Sequence, residues 1–494
     1  MARIASGSDW SFEDIERFDA VLAELAAGFG LDTYPNQIEV ITAEQMMDAY
    51  STVGLPVGYA HWSFGKRFVE VENRYRRGEM SLAYELVINS NPCIVYLMEE
   101  NTLTMQALVL AHAAYGHNAF FKGNYLFQTW TQADSIIDYL VFARDYVRRC
   151  EQRHGEQAVE SLLDACHALM NYGVDRYKRP PPLSAQHEAA RQAAREAHLQ
   201  AQINELWRTL PVSPGPRETA APQRFPPEPE ENLLYFIEKN APLLEPWERE
   251  IVRIVRKLAQ YFYPQRQTKV MNEGWACFWH YTLMNALYEG GYVDEGFMLE
   301  FITAHTNVIA QPPYDHPGYF GINPYALGFA MMRDIQRICE SPEDEDREWF
   351  PEIAGSDWRE TLDFAMRNFK DESFIRQYLS PRLMREFRLF ALLDDDQREA
   401  YEVTAIHDAR GYAALRNALA AQYDLGCTEP DIQVWDVDVR GDRTLTLRHH
   451  QRDRRPLGET TRAVMRHLRR LWQFPVRLES VDEQGRVKTV CRVE

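Results

Sequence analysis

The sequence predicts a mainly α protein: a large helical body in two sequence halves joined by a Pro-rich insertion, then a small C-terminal α+β domain. Three observations carry this. Apolar residues recur at helical spacing through most of residues 11–180 and again from 232 to about 395. Between those halves, at 181–231, composition shifts abruptly to proline and polar residues. Beyond residue 400 the pattern becomes alternation broken by glycine-bearing turns.

Taken in order, SFEDIERFDAVLAELAAGFGL opens with a Ser-x-x-Asp cap and sets Phe18, Val21, Leu22 and Leu25 on one face. TLTMQALVLAHAAYGH is apolar almost all round, as a helix buried on most sides must be. QADSIIDYLVFARDYVRRC is a further helix with a charged end. These complete an N-terminal half, residues 1–180. Residues 181–231 read as a polar exposed helix and a proline-rich connector with few core contacts. The second helical half, 232–400, is interrupted by a Pro-, Gly- and aromatic-rich loop at 310–328 and by the acidic run ESPEDEDREWFPE, read as a solvated loop. Residues 401–494 follow the order β-α-β-β-α-β-β, with hairpin turns at Arg440–Gly441–Asp442–Arg443 and Gln484–Gly485.

A chain of 494 residues is too long for one ordinary core, so two to four domains are expected. The net charge of −19 disfavours general affinity for nucleic acid or anionic membrane. The last 55 residues oppose that trend, with fourteen Arg or Lys against seven Asp or Glu. No apolar run is long enough to span a bilayer, and the N-terminus lacks a signal-peptide core. Seven scattered cysteines without a Cys-x-x-Cys pair fit reduced thiols, so the expected location is cytoplasmic.

The chemistry-bearing residues lie in three segments. In AHAAYGHNAFF, His112 and His117 are five apart, which on an α-helix leaves them about 140° apart in azimuth. They can face one ion only if a π-bulge widens the turn or the helix ends at Gly116 and the chain curls back. In NEGWACFWH, Glu273, Cys277 and His280 share one face of an aromatic helix, where a buried carboxylate requires a partner. The alternative reading makes Glu273 a residue of the helix start with Asn272 as cap. His305 lies in a third helix, and His316 and Tyr319 in the loop that follows. Two or three imidazoles with one carboxylate suit Zn²⁺ first, with Fe²⁺ or Mn²⁺ as alternatives. Nucleotide-binding glycine motifs and a Gly-x-Ser-x-Gly elbow are absent from the sequence.

Six blocks in order resemble the SpoVR-like family, named for stage V sporulation protein R. They are 111–127 (AHAAYGHNAFFKGNYLF), 135–147, 272–287 (NEGWACFWHYTLMNAL), 305–312, 318–329 and 371–390. The resemblance implies a link to sporulation, spore-cortex peptidoglycan and stress physiology. It also implies a PrkA-type serine kinase and a von Willebrand A-domain protein as partners. A looser likeness ties Glu-Gly-Trp-Ala to zinc peptidases in which that glutamate is a ligand. Glu273, His112 and His117 map onto such ligands, with Ala113 standing where the general base belongs.

The expected function is therefore a metal-dependent hydrolase of amide bonds in a peptide or peptidoglycan-related substrate. The expected ligands are His112, His117 and Glu273, with His280 or His305 as a further ligand or support. Glu99, Glu100, His316 and Tyr319 are the candidate proton carriers. The competing expectation is a non-enzymatic regulator or assembly factor in a kinase-linked stress module, docking through its basic C-terminal domain.

Overall fold

A helix that is apolar on every side must be wrapped by other elements, and Lys269–Glu289 is such a helix. In the computed structural model, thirteen of its residues are buried, among them Trp275, Phe278, Trp279 and His280. The structure describes residues 4, 7–52, 58–76, 85–176, 190, 193, 224–393, 402–408, 410–451 and 456–494. Contacts divide the chain into two units, residues 1–163 with 257–429 and residues 164–256 with 430–494. Both are discontinuous in sequence.

The central helix organises the first unit. On one side it packs against the segment Leu110–His117, on another against the helix Pro324–Glu340. Both contacts are close because glycines permit them. A Cβ built on Gly116 meets Ala276 Cα at 2.7 Å, and one on Gly328 meets the Val270 carbonyl oxygen at 2.1 Å. Gly274 and Gly328 face each other, so the two helix backbones touch. Asp371 at the start of the helix Asp371–Tyr378 closes the N-terminus of the central helix. Its carboxylate accepts from Val270 N at 2.9 Å and Met271 N at 2.8 Å, satisfying amides that a helix start leaves open.

The helix Phe12–Gly28 begins with the expected capping box, Ser11 and Asp14 bonding reciprocally, and buries Phe18 and Leu22. Val21 and Leu25 are partly buried against the same core. The first half is not helical throughout, however. Strands β1 (Asn36–Ile41), β2 (Glu85–Ile88) and β3 (Cys93–Met98) form a sheet in the order β1-β3-β2. β1 runs parallel to β3, and β2 antiparallel. All six residues of CIVYLM are buried, and a short continuous apolar run does not distinguish strand from helix by periodicity.

A second correction concerns the acidic run. Asp344–Trp349 is a short helix, and Asp346 is buried. Its carboxylate takes both arms of Arg337 at 2.6 and 2.7 Å, a bidentate pair that compensates a buried charge.

The element order β-α-β-β-α-β-β is present at the C-terminus, but its members part company. β5 (Glu402–Ile406) pairs antiparallel with β4 (Phe390–Leu393) within the first unit. β6 (Asp431–Val437), β7 (Leu445–His450), β8 (Val476–Val481) and β9 (Val487–Val493) form the sheet of the second unit in that order. Both hairpins turn where expected, with Arg443 (φ 59°) and Gly485 (φ 75°) taking left-handed backbone. The helix Thr461–Trp472 makes the parallel crossover from β7 to β8 and buries Met465, Leu468, Leu471 and Trp472. Of the 181–231 insertion, residues 190 and 193 of the polar helix are helical, and the rest of that helix and most of the connector lie outside the described residues. Its last residues run beside β6, Glu230 pairing with Val434.

The protein is thus mainly α with a small C-terminal α+β part. Among the described residues, no helix is long and apolar enough to cross a membrane.

Candidate metal centre

Leu110–His117 is a π-helical segment, flanked by α-helices Leu103–Val109 and Asn118–Gly123. The i→i+5 bonding of a π-turn stacks residues five apart, which an α-turn cannot do. His112 and His117 therefore stand on one face, ring centroids 4.6 Å apart and planes at 84°. The helix does not end at Gly116, nor at Asn118. Asn118 is fully buried and ties the segment to the start of β1 through Tyr34 and Asn36. Gly116 serves the approach to Ala276, not a left-handed turn.

Glu273 projects from the second turn of the central helix towards these rings. Its Oε2 lies 3.5 Å from His117 Nε2 and 3.9 Å from His112 Nε2. The ligand atoms of His112, His117 and Glu273 all fall within 4.8 Å of one another. Oε2 is buried and has no hydrogen-bond partner among the described residues. The reading of Asn272 as a helix cap is not what the structure shows. Asp371 does the capping, and Asn272 Oδ1 accepts from His117 Nδ1 at 2.9 Å. That bond leaves the His117 Nε2 lone pair facing Glu273.

The donor set and its spacing fit a divalent ion. Two bonds of ~2.1 Å at a tetrahedral angle separate their ligand atoms by about 3.4 Å. The observed separations from Glu273 are close to that value and too long for hydrogen bonds. A second grouping, His112 with Cys277 and His280, is also compact. It fits less well, because His112 Nδ1 and His280 Nδ1 are 2.7 Å apart. That distance is a shared proton, shorter than two ligands of one ion allow.

His280 is consequently engaged at both nitrogens, to His112 through Nδ1 and to His305 Nδ1 through Nε2 at 2.7 Å. Burial first, then the neighbouring His112, His305 and His117, pushes its proton affinity far below the ordinary imidazole range. Burial, with His112 adding, pushes His305 down to about 4. Both rings are neutral at neutral pH. The aromatic wall consists of Phe121 stacked on His117, with Phe301, Tyr281 and Phe329 around His305.

The four candidate proton carriers sit on two other segments, the turn after β3 and the Gln311–Asn323 loop. Glu99 and Glu100 are exposed on the turn after β3, Glu100 accepting from Ala43 N at 3.2 Å. His316 is exposed in the Gln311–Asn323 loop and accepts from Gly318 N at 3.0 Å. Tyr319 packs edge-on against Tyr314, which meets Phe390 in turn. None of the four belongs to either histidine grouping. Sequence reasoning missed Asn272 as the partner of His117 and Asp371 as the clamp on the helix. Adjacency to Glu273 was the available signal for Asn272; nothing local pointed to Asp371.

The family model described as SpoVR like protein matches residues 9–428, and the SpoVR-like C-terminal domain model matches 430–483. This chain belongs to the SpoVR family. Its SpoVR relatives include a protein described as uncharacterized protein YcgB from Escherichia coli strain K12. The two are 61% identical over 490 residues, covering 99% of this chain and 96% of the relative. No solved structure gives a significant match. The boundary between the two SpoVR models, at residue 429, coincides with a boundary between the contact units.

Proposed function

We propose that this SpoVR protein is a metal-dependent hydrolase of amide bonds in a peptide or peptidoglycan-related substrate. His112 Nε2, His117 Nε2 and Glu273 Oε2 hold the ion, with zinc first and iron or manganese as alternatives. One observation carries the reading: a buried carboxylate oxygen lacks a hydrogen-bond partner yet faces two imidazole nitrogens at ligand-to-ligand spacing. Such an oxygen is costly unless a cation compensates it. Three protein ligands leave a position open, the arrangement of catalytic sites, and the ion supplies Lewis-acid polarisation of a carbonyl.

The chain's own residues position and shield. Asn272 fixes the ring of His117, and His280 fixes that of His112. Trp275, Phe278 and Trp279 pack the rest of the central helix into apolar core, keeping water from that side. Ala113 carries no base, so the reading retains Glu99, Glu100, His316 and Tyr319 as candidate proton carriers.

Elemental analysis of freshly purified protein tests this directly. About one equivalent of a transition metal is expected, falling to background in Glu273→Gln and His117→Ala. Wild-type protein that neither carries nor takes up metal on titration defeats the proposal.

The second reading, a regulator of a serine-kinase-linked stress module, draws on the charge of residues 440–494 and the Arg462, Arg466, Arg469, Arg470 series on the Thr461–Trp472 helix. Under it, removing 430–494 abolishes capture of the kinase or the von Willebrand A-domain protein, while His112→Ala leaves capture intact.

A further inference from the structure

His112, His280 and His305 form an unbroken row of imidazoles. His112 Nδ1 meets His280 Nδ1 at 2.7 Å, and His280 Nε2 meets His305 Nδ1 at 2.7 Å. Each gap holds one proton. His280 is 1% exposed and makes both contacts to imidazoles, not to a carboxylate. Carrying both protons would make it a buried cation without a counter-charge, and carrying neither would make it an anion. It therefore carries one, and the two protons of the row point the same way. Two directions exist. In one, His112 donates from Nδ1 to His280, and His280 donates from Nε2 to His305. In the other, His305 donates from Nδ1 to His280, His280 donates from Nδ1 to His112, and His112 bears its proton on Nε2.

We propose that His280 and His305 are positioning residues that lock His112 in its ligating tautomer, and that an ion at His112 Nε2 sets the direction of the whole row. This rests on the metal reading above. An ion on Nε2 takes that lone pair, so the proton of the neutral ring sits on Nδ1 and must be accepted by His280 Nδ1. His280 then bears its proton on Nε2 and gives it to His305 Nδ1, leaving His305 protonated on Nε2. Starting from the opposite direction, the balance is simple. His112 gives its Nε2 proton to a water of hydration that enters with the ion and receives on Nδ1 the proton from His280 Nδ1. His280 receives on Nε2 the proton from His305 Nδ1, and His305 takes one from solvent on Nε2. The number of protons in the row is unchanged, and no ring becomes charged. His305 lies in the last turn of the Glu295–Val308 helix, which leads into the Gln311–Asn323 loop. The row thus carries the occupancy of the metal centre to the base of that loop.

The geometry also separates His280 from a ligand by its needs. A ligand needs a lone pair directed at the ion, whereas His280 here needs only an acceptor facing His112 and a donor facing His305. An asparagine can supply the acceptor; a phenylalanine cannot.

Two measurements test this on the full chain. Nitrogen-15 histidine spectra of the zinc-loaded protein, assigned with single His→Phe variants, read the tautomers directly. Protonated Nδ1 on His112 and protonated Nε2 on His280 and His305 are expected. A zinc-loaded protein in which His280 bears its proton on Nδ1 overturns the relay and leaves the metal reading standing. Zinc affinity by chelator competition is the second measurement. His280→Phe is expected to weaken binding about 10- to 100-fold, while His280→Asn stays within about 3-fold of wild type. Equal affinity in wild type and a folded His280→Phe overturns the positioning role. Wild-type protein that takes up no zinc at all removes the metal reading, and the relay with it.

Discussion

The polar groups around the central helix and those of the Gln311–Asn323 loop look alike in sequence and behave oppositely in the fold. His112, His117, His280 and His305 are all at or below 5% exposure, and hydrogen bonds join His112 to His280, His280 to His305 and His117 to Asn272. His316 is exposed and satisfied within its own turn by Gly318. The lesson is that burial converts a polar side chain from a possibility into an obligation. A buried imidazole or carboxylate must find a partner or be destabilising by several kcal/mol, so its surroundings are informative. An exposed one is served by water, and its presence alone decides little.

This contrast can be broken at several places. The largest effect is expected from the backbone contact beneath Glu273. Gly328→Val puts a side chain into the Val270 carbonyl and should cost about 3 kcal/mol or more of stability by urea unfolding, since helix backbones cannot yield as a flexible side chain would. Next, Asn272→Leu removes the acceptor of His117 Nδ1 without touching a ligand. Zinc affinity should fall about 10- to 100-fold with little loss of melting temperature.

A pH dependence follows from Asp371. Burial pushes its carboxyl up to about 7 from the ordinary 3.8, although the Val270 and Met271 amides pull the other way. A raised folded-state value means the native state binds the proton more tightly than the unfolded chain. This stabilisation is complete below about 3.8 and is lost as pH rises through about 7. Asp371→Asn should therefore gain on wild type as pH climbs across that window, read by denaturant unfolding at several pH values. A gap between the two proteins that stays constant with pH rules this out. The smallest effects belong to the exposed set. Glu99→Gln and His316→Ala should each change stability by less than about 0.5 kcal/mol and leave zinc affinity unaltered.

Much of the candidate site was legible because its letters conflict with their setting. A carboxylate such as Glu273 inside an aromatic helix demands a partner, and a five-residue histidine spacing is inconsistent with an ordinary α-helix, which the π-segment resolves. Of the two escapes open from the sequence, the structure takes the bulge. The helical body and the C-terminal order of elements were readable from periodicity. β3 was not, because six buried apolar residues have no polar phase to mark the strand. Asp371 was not either, since its partners lie a hundred residues away and it looks like any helix-start aspartate. The helix in the acidic run was hidden for a similar reason: its buried Asp346 is compensated by Arg337, nine residues earlier.

The π-segment has a thermodynamic corollary. Were Leu110–His117 to relax to α pitch, His112 and His117 would lie about 140° apart in azimuth and no longer face one ion. Under the metal reading proposed above, the wider backbone register and an ion held there are linked quantities. Whatever free energy the ion contributes to holding this register, the register contributes to holding the ion, in equal measure. A substitution that biases the segment towards ordinary α-helix should lower affinity without altering a single ligand atom.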